Sequence, residues 1–299
     1  MERKMLFRDA RDYQILFLSL FLFLGLSSRD WTVRIDLMLV VISSCLLTQV
    51  LLSFLVNSAT DKIEIYSPIN SPQNLLFQRF NWMDFPWRSA LITGLGLCLL
   101  LRANNYQTMA LAGCLAIASK FLFRFRGKHF FNPANFGIIA ALIFTPDAWV
   151  SPGQWGTDWW YLLLFLGAGG IVLKKVGRWD TSAAFLLAYV ALEIIRNAWL
   201  GWSWDVLLHQ LTSGSLLLFA LFMLTDPRSI PNATASRLIW AVTVAVLTFI
   251  LQHFFYLTTA IFWALFILSP LTLLLDYLWS APRFTWQKPS LKYHLTTGI

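Results

Sequence analysis

Two short segments carry the residues best suited by type and spacing to hold a ligand. The first is Lys128-His129-Phe130-Phe131-Asn132-Pro133-Ala134-Asn135-Phe136-Gly137. Asn132 followed by Pro133 is the pattern of a helix N-cap with proline at the first helical position. A cap does not account for a second amide, Asn135, one turn further on beside Ala134 and Gly137; close approach of a ligand or of another helix would. The second segment is Leu224-Thr225-Asp226-Pro227-Arg228-Ser229, where Pro227 stops a helix and Asp226 has Arg228 and Arg237 as neighbours to pair with. Thr93-Gly94 and Ser213-Gly214, small polar pairs near the starts of two apolar runs, complete the set of candidate contacts. Amides, a carboxylate and hydroxyls of this kind suit hydrogen bonding to a ligand edge rather than bond cleavage. There is no Cys-x-x-Cys, His-Glu-x-x-His, P-loop or Gly-x-Gly-x-x-Gly, so no metal site is expected and hydrolase and transferase signatures are missing.

Other ionisable residues have simpler readings. Lys120 can snorkel with Arg124 and Arg126, Glu193 and Arg196 are spaced to pair on one helix, and Asp276 can face interfacial water. His209 and His253 raise an axial haem pair only weakly.

The elements that position these residues are set by composition. Of 299 residues, 58% are hydrophobic and 13% charged, and mean hydropathy is +0.62. A soluble domain carries about a quarter charged residues, so the chain reads as a polytopic membrane protein and not a water-soluble globule. The net charge of +8 reads as topology rather than nucleic-acid binding, because no stretch is basic enough for the latter. About ten apolar runs emerge, near 12–28, 35–56, 87–103, 106–123, 134–150, 158–176, 181–200, 208–225, 235–255 and 258–279. Of the 23 Lys and Arg, all but Arg29, Arg34, Arg102 and Arg196 then fall in the termini and even connections. That asymmetry predicts an even number of crossings with both termini cytoplasmic. Trp149, Trp155, Trp159, Trp160, Trp199, Trp202 and Trp204 fit an aromatic belt on the outer side. The first apolar run lacks a small-x-small cleavage pattern and is expected to be a retained helix. The polar stretch 57–85 reads as an inner loop that touches a partner.

The small-residue openings at 89–94 and 211–214 lie five spans apart and so on helices of opposite direction, as an inverted repeat requires. The expected architecture is therefore all-α, a single integral membrane domain over 1–299. It comprises a first five-helix half over 1–150, a second over 151–280, and a cytoplasmic tail over 281–299.

At these segments the sequence resembles the RnfD/NqrB family of membrane subunits of ion-pumping electron-transport complexes. The resemblance rests on SALITGLGLCLLL, AIASKFLFRF and KHFFNPANFG in the first half and on HQLTSGSLLLFALFMLTDPRSIPNATASRLIW in the second, across roughly residues 86–280. It implies ten helices in two inverted halves, flavin chemistry in the membrane, and coupling of electron transfer to Na⁺ or H⁺ movement. The family commonly carries FMN on a Thr of an outer Ser/Thr-Gly-Ala-Thr segment. The 145–158 connection here has no such motif, which is closer to a divergent branch of stand-alone relatives, including those found with enediyne biosynthesis genes. The resemblance thus implies a noncovalent flavin, FMN or riboflavin, with Asn132, Pro133, Asn135, Gly137, Thr225, Asp226, Thr93, Gly94, Ser213 and Gly214 at its site. The lipid bilayer and other membrane or flavinylated electron-transfer subunits are the expected partners. The location is the plasma (inner) membrane, and at most the chain is one subunit of an ion-translocating oxidoreductase. A non-redox solute or ion transporter and a scaffold subunit are the alternatives.

Overall fold

The computed structural model describes residues 9–28, 34–65, 86–150 and 159–286. The helices in chain order are α1 Ala10–Ser28, α2 Ile35–Ile65, α3 Trp87–Leu100, α4 Tyr106–Leu122, α5 Pro133–Phe144, α6 Trp159–Val176, α7 Trp179–Leu200, α8 Trp204–Leu211, α9 Gly214–Leu218, α10 Thr234–His253, α11 Ala260–Leu268 and α12 Leu271–Leu278. Residues Phe219–Met223 continue α9 as a π-helical turn. Helix α2 runs past the expected end at residue 56; residues 66–85, 151–158 and 287–299 lie outside the described residues.

Four of these helices, α1, α7, α10 and the 35–56 part of α2, are long and apolar enough to cross a membrane. Two further candidate spans are broken: α8 meets α9 at 46° and α11 meets α12 at 47°. The second break falls at Ser269-Pro270, where proline cannot continue the hydrogen-bond ladder. Leu47, Leu51 and Phe54 form an exposed apolar row along α2, a surface that lipid accepts and water does not. The chain is an all-α polytopic membrane protein.

Each expected apolar run meets a helix or a broken pair, but α3 and α5 are too short to span. At 1.5 Å per residue they reach about 21 and 18 Å, against about 30 Å of hydrocarbon. After each, the chain becomes extended: β1 (Leu101–Arg102) pairs antiparallel with β4 (Trp149–Val150). That pairing lets each strand satisfy the other's backbone, which non-helical chain inside a membrane protein requires.

Between α4 and α5 the chain makes a hairpin, β2 (Arg124–Phe125) with β3 (Lys128–His129). Its two-residue loop, Arg126 at φ +49° and Gly127 at φ +81°, has both residues in the left-handed region, as a hairpin turn of matching twist needs. The hairpin is tied down by Lys128, whose Nζ reaches Asp276 Oδ2 at 2.6 Å and the Ile230 carbonyl at 2.5 Å. Asp276 is thus a half-buried tether and does not simply face interfacial water.

Small residues let the first helices pack closely. α3 contacts α1, α2, α4 and α5, and α5 also reaches α11. A Cβ on Gly94 would stand 3.2 Å from Ile42 Cα, one on Gly113 3.0 Å from the Val41 carbonyl, and one on Gly137 2.6 Å from the Ala112 carbonyl. In the second half α10 lies along α7, and Trp240, Phe185, Phe219 and Phe262 are fully buried.

Candidate functional site

The two segments singled out above come together at one face of the bundle. An open cleft is lined there by Arg11 and Gln14 of α1, Ser89, Thr93 and Gly96 of α3, His129 of β3, Asn132 and Pro133 at the start of α5, and Phe222, Met223, Thr225, Asp226 and Arg228 around the end of the π-turn, with Trp286 beyond. The start of α1, the α4–α5 hairpin, the α9–α10 connection and the segment after α12 therefore share a face.

Asn132 has two structural tasks. Its Oδ1 accepts the Asn135 backbone N–H at 3.0 Å, capping α5, and its Nδ2 donates to the Met223 carbonyl at 2.9 Å. That second bond belongs to a set. A π-turn is rare, recurs at functional sites, and shifts carbonyls out of the regular ladder; here each shifted carbonyl finds a side chain. Ser182 of α7 donates to Ala220 O (2.5 Å), Gln14 of α1 to Phe222 O (3.4 Å), and Thr225 to Leu221 O (3.0 Å). Three separate helices thus hold the turn in place on the wall of the cleft.

Asp226 closes the cleft beside His129. Its Oδ1 accepts the Arg228 backbone N–H at 3.2 Å, and its Oδ2 stands 3.5 Å from His129 Nε2. Burial alone would raise the Asp226 carboxyl, but the contacts to His129 and to the Arg228 N–H reverse this and hold it below the usual carboxylate range. Burial pushes His129 below its ordinary value of 6.5, with Asp226 opposing. The imidazole is therefore neutral at pH 7.

The remaining expected residues separate by position. Thr93 lines the cleft and donates to the Ser89 carbonyl at 2.9 Å. Asn135 is fully buried one turn deeper, with Nδ2 on the Phe262 carbonyl at 3.1 Å and Oδ1 without a hydrogen bond among the described residues. Gly137 faces α4 and Gly94 faces α2, so helix contact accounts for both. Ser213 and Gly214 stand at the other end of α9 from the cleft.

Several local pairings give way to distant ones. Arg237 binds Asp180 (Nη2 to Oδ2, 2.5 Å), not Asp226. Glu193 pairs with His253 at 2.6 Å, while Arg196 lies over the Trp202 ring, 4.5 Å from its centroid. Those contacts leave His253 hydrogen-bonded to Glu193 and His209 exposed, so the two are not placed as a haem pair. Lys120 is buried against Ser89 instead of snorkelling. Arg11, Gln14, Ser89, Phe222 and Trp286 are among the cleft residues that the sequence reading does not single out; Gln14, a lone amide in an apolar run, is the available signal.

Residues 150–285 match the NQR2, RnfD, RnfE family. Three relatives are each named as the D subunit of an ion-translocating oxidoreductase complex. The one from Stutzerimonas stutzeri is 31% identical over 120 residues, covering 38% of this chain and 32% of its own length. That from Alcanivorax borkumensis is 26% identical over a 267-residue alignment, covering 68% and 76%. That from Halorhodospira halophila is 29% identical over 123 residues, covering 41% and 34%. The chain thus spans about a third of two of these relatives and about three-quarters of the other. The paired Phe-Asn-Pro-Ala and Thr-Asp-Pro segments meet at one cleft, and residues 150–285, which hold the second of them, are similar to the NQR2, RnfD, RnfE family.

Proposed function

We propose that this protein is a membrane-embedded subunit of an electron-transport system, that it holds a flavin noncovalently in the cleft, and that it takes part in coupling electron transfer to ion movement. The observation that carries the reading is the convergence of Asn132, Pro133, Thr93, Thr225 and Asp226 on one cleft. The residues present suit such a group. Phe222 and Trp286 offer aromatic surface for stacking, and Thr93, His129 and Asp226 offer polar edges. A flavin bound there would supply one- and two-electron transfer. The protein's part is to orient the ring, to set its polarity through a carboxylate and a neutral imidazole, and to keep it out of bulk water. The relatives' name supports a place among other subunits of a complex, and an inner-membrane location is part of this reading. The inverted pairing of halves 1–150 and 151–280 belongs to it as well.

The test is the visible spectrum of the detergent-purified protein, repeated on the supernatant after acid precipitation. The expected result is flavin absorption that moves to the supernatant, with content reduced in Asp226→Asn. A colourless protein from its native host overturns the redox reading. One feature favours a second reading, transport of a solute or ion without redox chemistry: the two bent pairs α8/α9 and α11/α12 resemble the discontinuous helices of transporter sites. Flux into liposomes without an electron donor would establish it.

A further inference from the structure

One positive charge behind the cleft is buried without a counter-ion. Lys120, in the last turn of α4, is 5% exposed. Its Nζ donates to the carbonyl and the Oγ of Ser89, each at 3.2 Å. Among the described residues no carboxylate lies within ion-pair distance of it. An ammonium taken out of water without an anion is strongly destabilising, and such groups inside a membrane protein are functional candidates by default.

Ser89 carries that charge to the cleft wall. Because its Oγ accepts from the ammonium, its own hydroxyl proton points elsewhere and is available as a donor to the cleft. Two more donors stand on the same wall. His129 is buried, and its Nε2 makes no hydrogen bond among the described residues, Asp226 being 3.5 Å away. Arg228 is exposed at the mouth, and its guanidinium has no partner among the described residues. Arg11 is already neutralised by Asp9 at 2.5 Å, and Asp226 is the opposing carboxylate.

We propose that the cleft takes a ligand bearing a phosphate group, which accepts from Ser89, His129 and Arg228 while Lys120 serves as its buried counter-charge. This rests on the flavin reading and narrows it to a flavin mononucleotide rather than the phosphate-free riboflavin. A phospholipid headgroup offers the same chemistry.

The experiment measures affinities for FMN and riboflavin by flavin fluorescence quenching, with the full chain in phosphate-free maltoside micelles, for wild type, Lys120→Gln and Lys120→Arg. Wild type is expected to bind FMN about 10-fold more tightly, as one good charged contact gives. Lys120→Gln should lose that preference with little change for riboflavin, and Lys120→Arg should keep it. Equal wild-type affinities, or a Lys120→Gln that weakens both flavins alike, overturn the proposal. If neither flavin binds, the flavin reading itself fails and the source of phosphate is read from lipid. A rise in Tm on adding phosphatidylglycerol to the protein in phosphate-free maltoside micelles that Lys120→Gln abolishes assigns the site to a headgroup. No such rise overturns the phosphate site as well.

Discussion

His129 and Asp226 meet in the cleft at 3.5 Å with only one of them charged at neutral pH, and that asymmetry has a measurable consequence. In the unfolded chain the imidazole takes up a proton near pH 6.5. In the fold burial holds its pKa lower, so around and below that pH the unfolded state binds more protons and the folded state loses stability as pH falls. The lowered Asp226 carboxyl acts in the same direction, but only below about pH 4. Thermal unfolding in detergent between pH 7.5 and 5.5 should therefore show a fall in Tm on acidification that is shallower in His129→Gln. Equal slopes in the two proteins would refute the burial argument. At this scale the sequence revealed residue types but not partners. Arg237 has Asp226 within reach along the chain yet binds Asp180, and Glu193 takes His253 over Arg196. Local spacing rules describe an isolated helix, whereas these choices are made by packing between α7 and α10.

Among the elements, α4 and α5 depend on a glycine for their separation. Adding a methyl at Gly137 would meet the Ala112 carbonyl at 2.6 Å and Ala116 Cβ at 2.8 Å, whereas Gly170 on α6 has nothing within 4 Å of the same position. Gly137→Ala should destabilise by about 1–3 kcal/mol through overpacking. Gly170→Ala should stay within about 1 kcal/mol of wild type, since alanine favours the helix. Equilibrium unfolding of both variants in detergent checks the contrast, and similar values for the two would show that the α4–α5 contact yields. The apolar runs made nearly every helix legible, and Asn132-Pro133 marked the cap of α5 correctly. The shortness of α3 and α5 was hidden, because apolar residues continue into β1 and β4 and hydropathy does not distinguish helix from buried extended chain. The break at Ser269-Pro270 was readable from proline alone.

For the whole molecule, the placement of Lys and Arg makes a statement about orientation. The residues around the cleft, from Arg11 to Arg228, lie on one face, and the orientation expected from the positive-inside tendency would turn that face to the cytoplasm. A fluorescent protein fused after Ile299 should fold and fluoresce, while one inserted in the 151–158 connection should stay dark after export. The reverse pattern would invert the topology. The cleft itself draws on both halves of the chain, with Asn132 and Ser89 from the first and Thr225 and Asp226 from the second. The π-turn at 219–223 stands on the wall between those contributions. Such a turn is a helix carrying one residue more than its α-helical path needs, and the bulge absorbs the extra residue without turning the chain that follows. Removing a single residue there would restore the ordinary repeat and leave Thr225 and Asp226 near their present phase. The carbonyls held by Gln14, Asn132 and Ser182 would return to the ladder and those three side chains would lose their acceptors. In this protein the length of one helix, counted to the residue, decides which backbone groups the wall of the cleft presents.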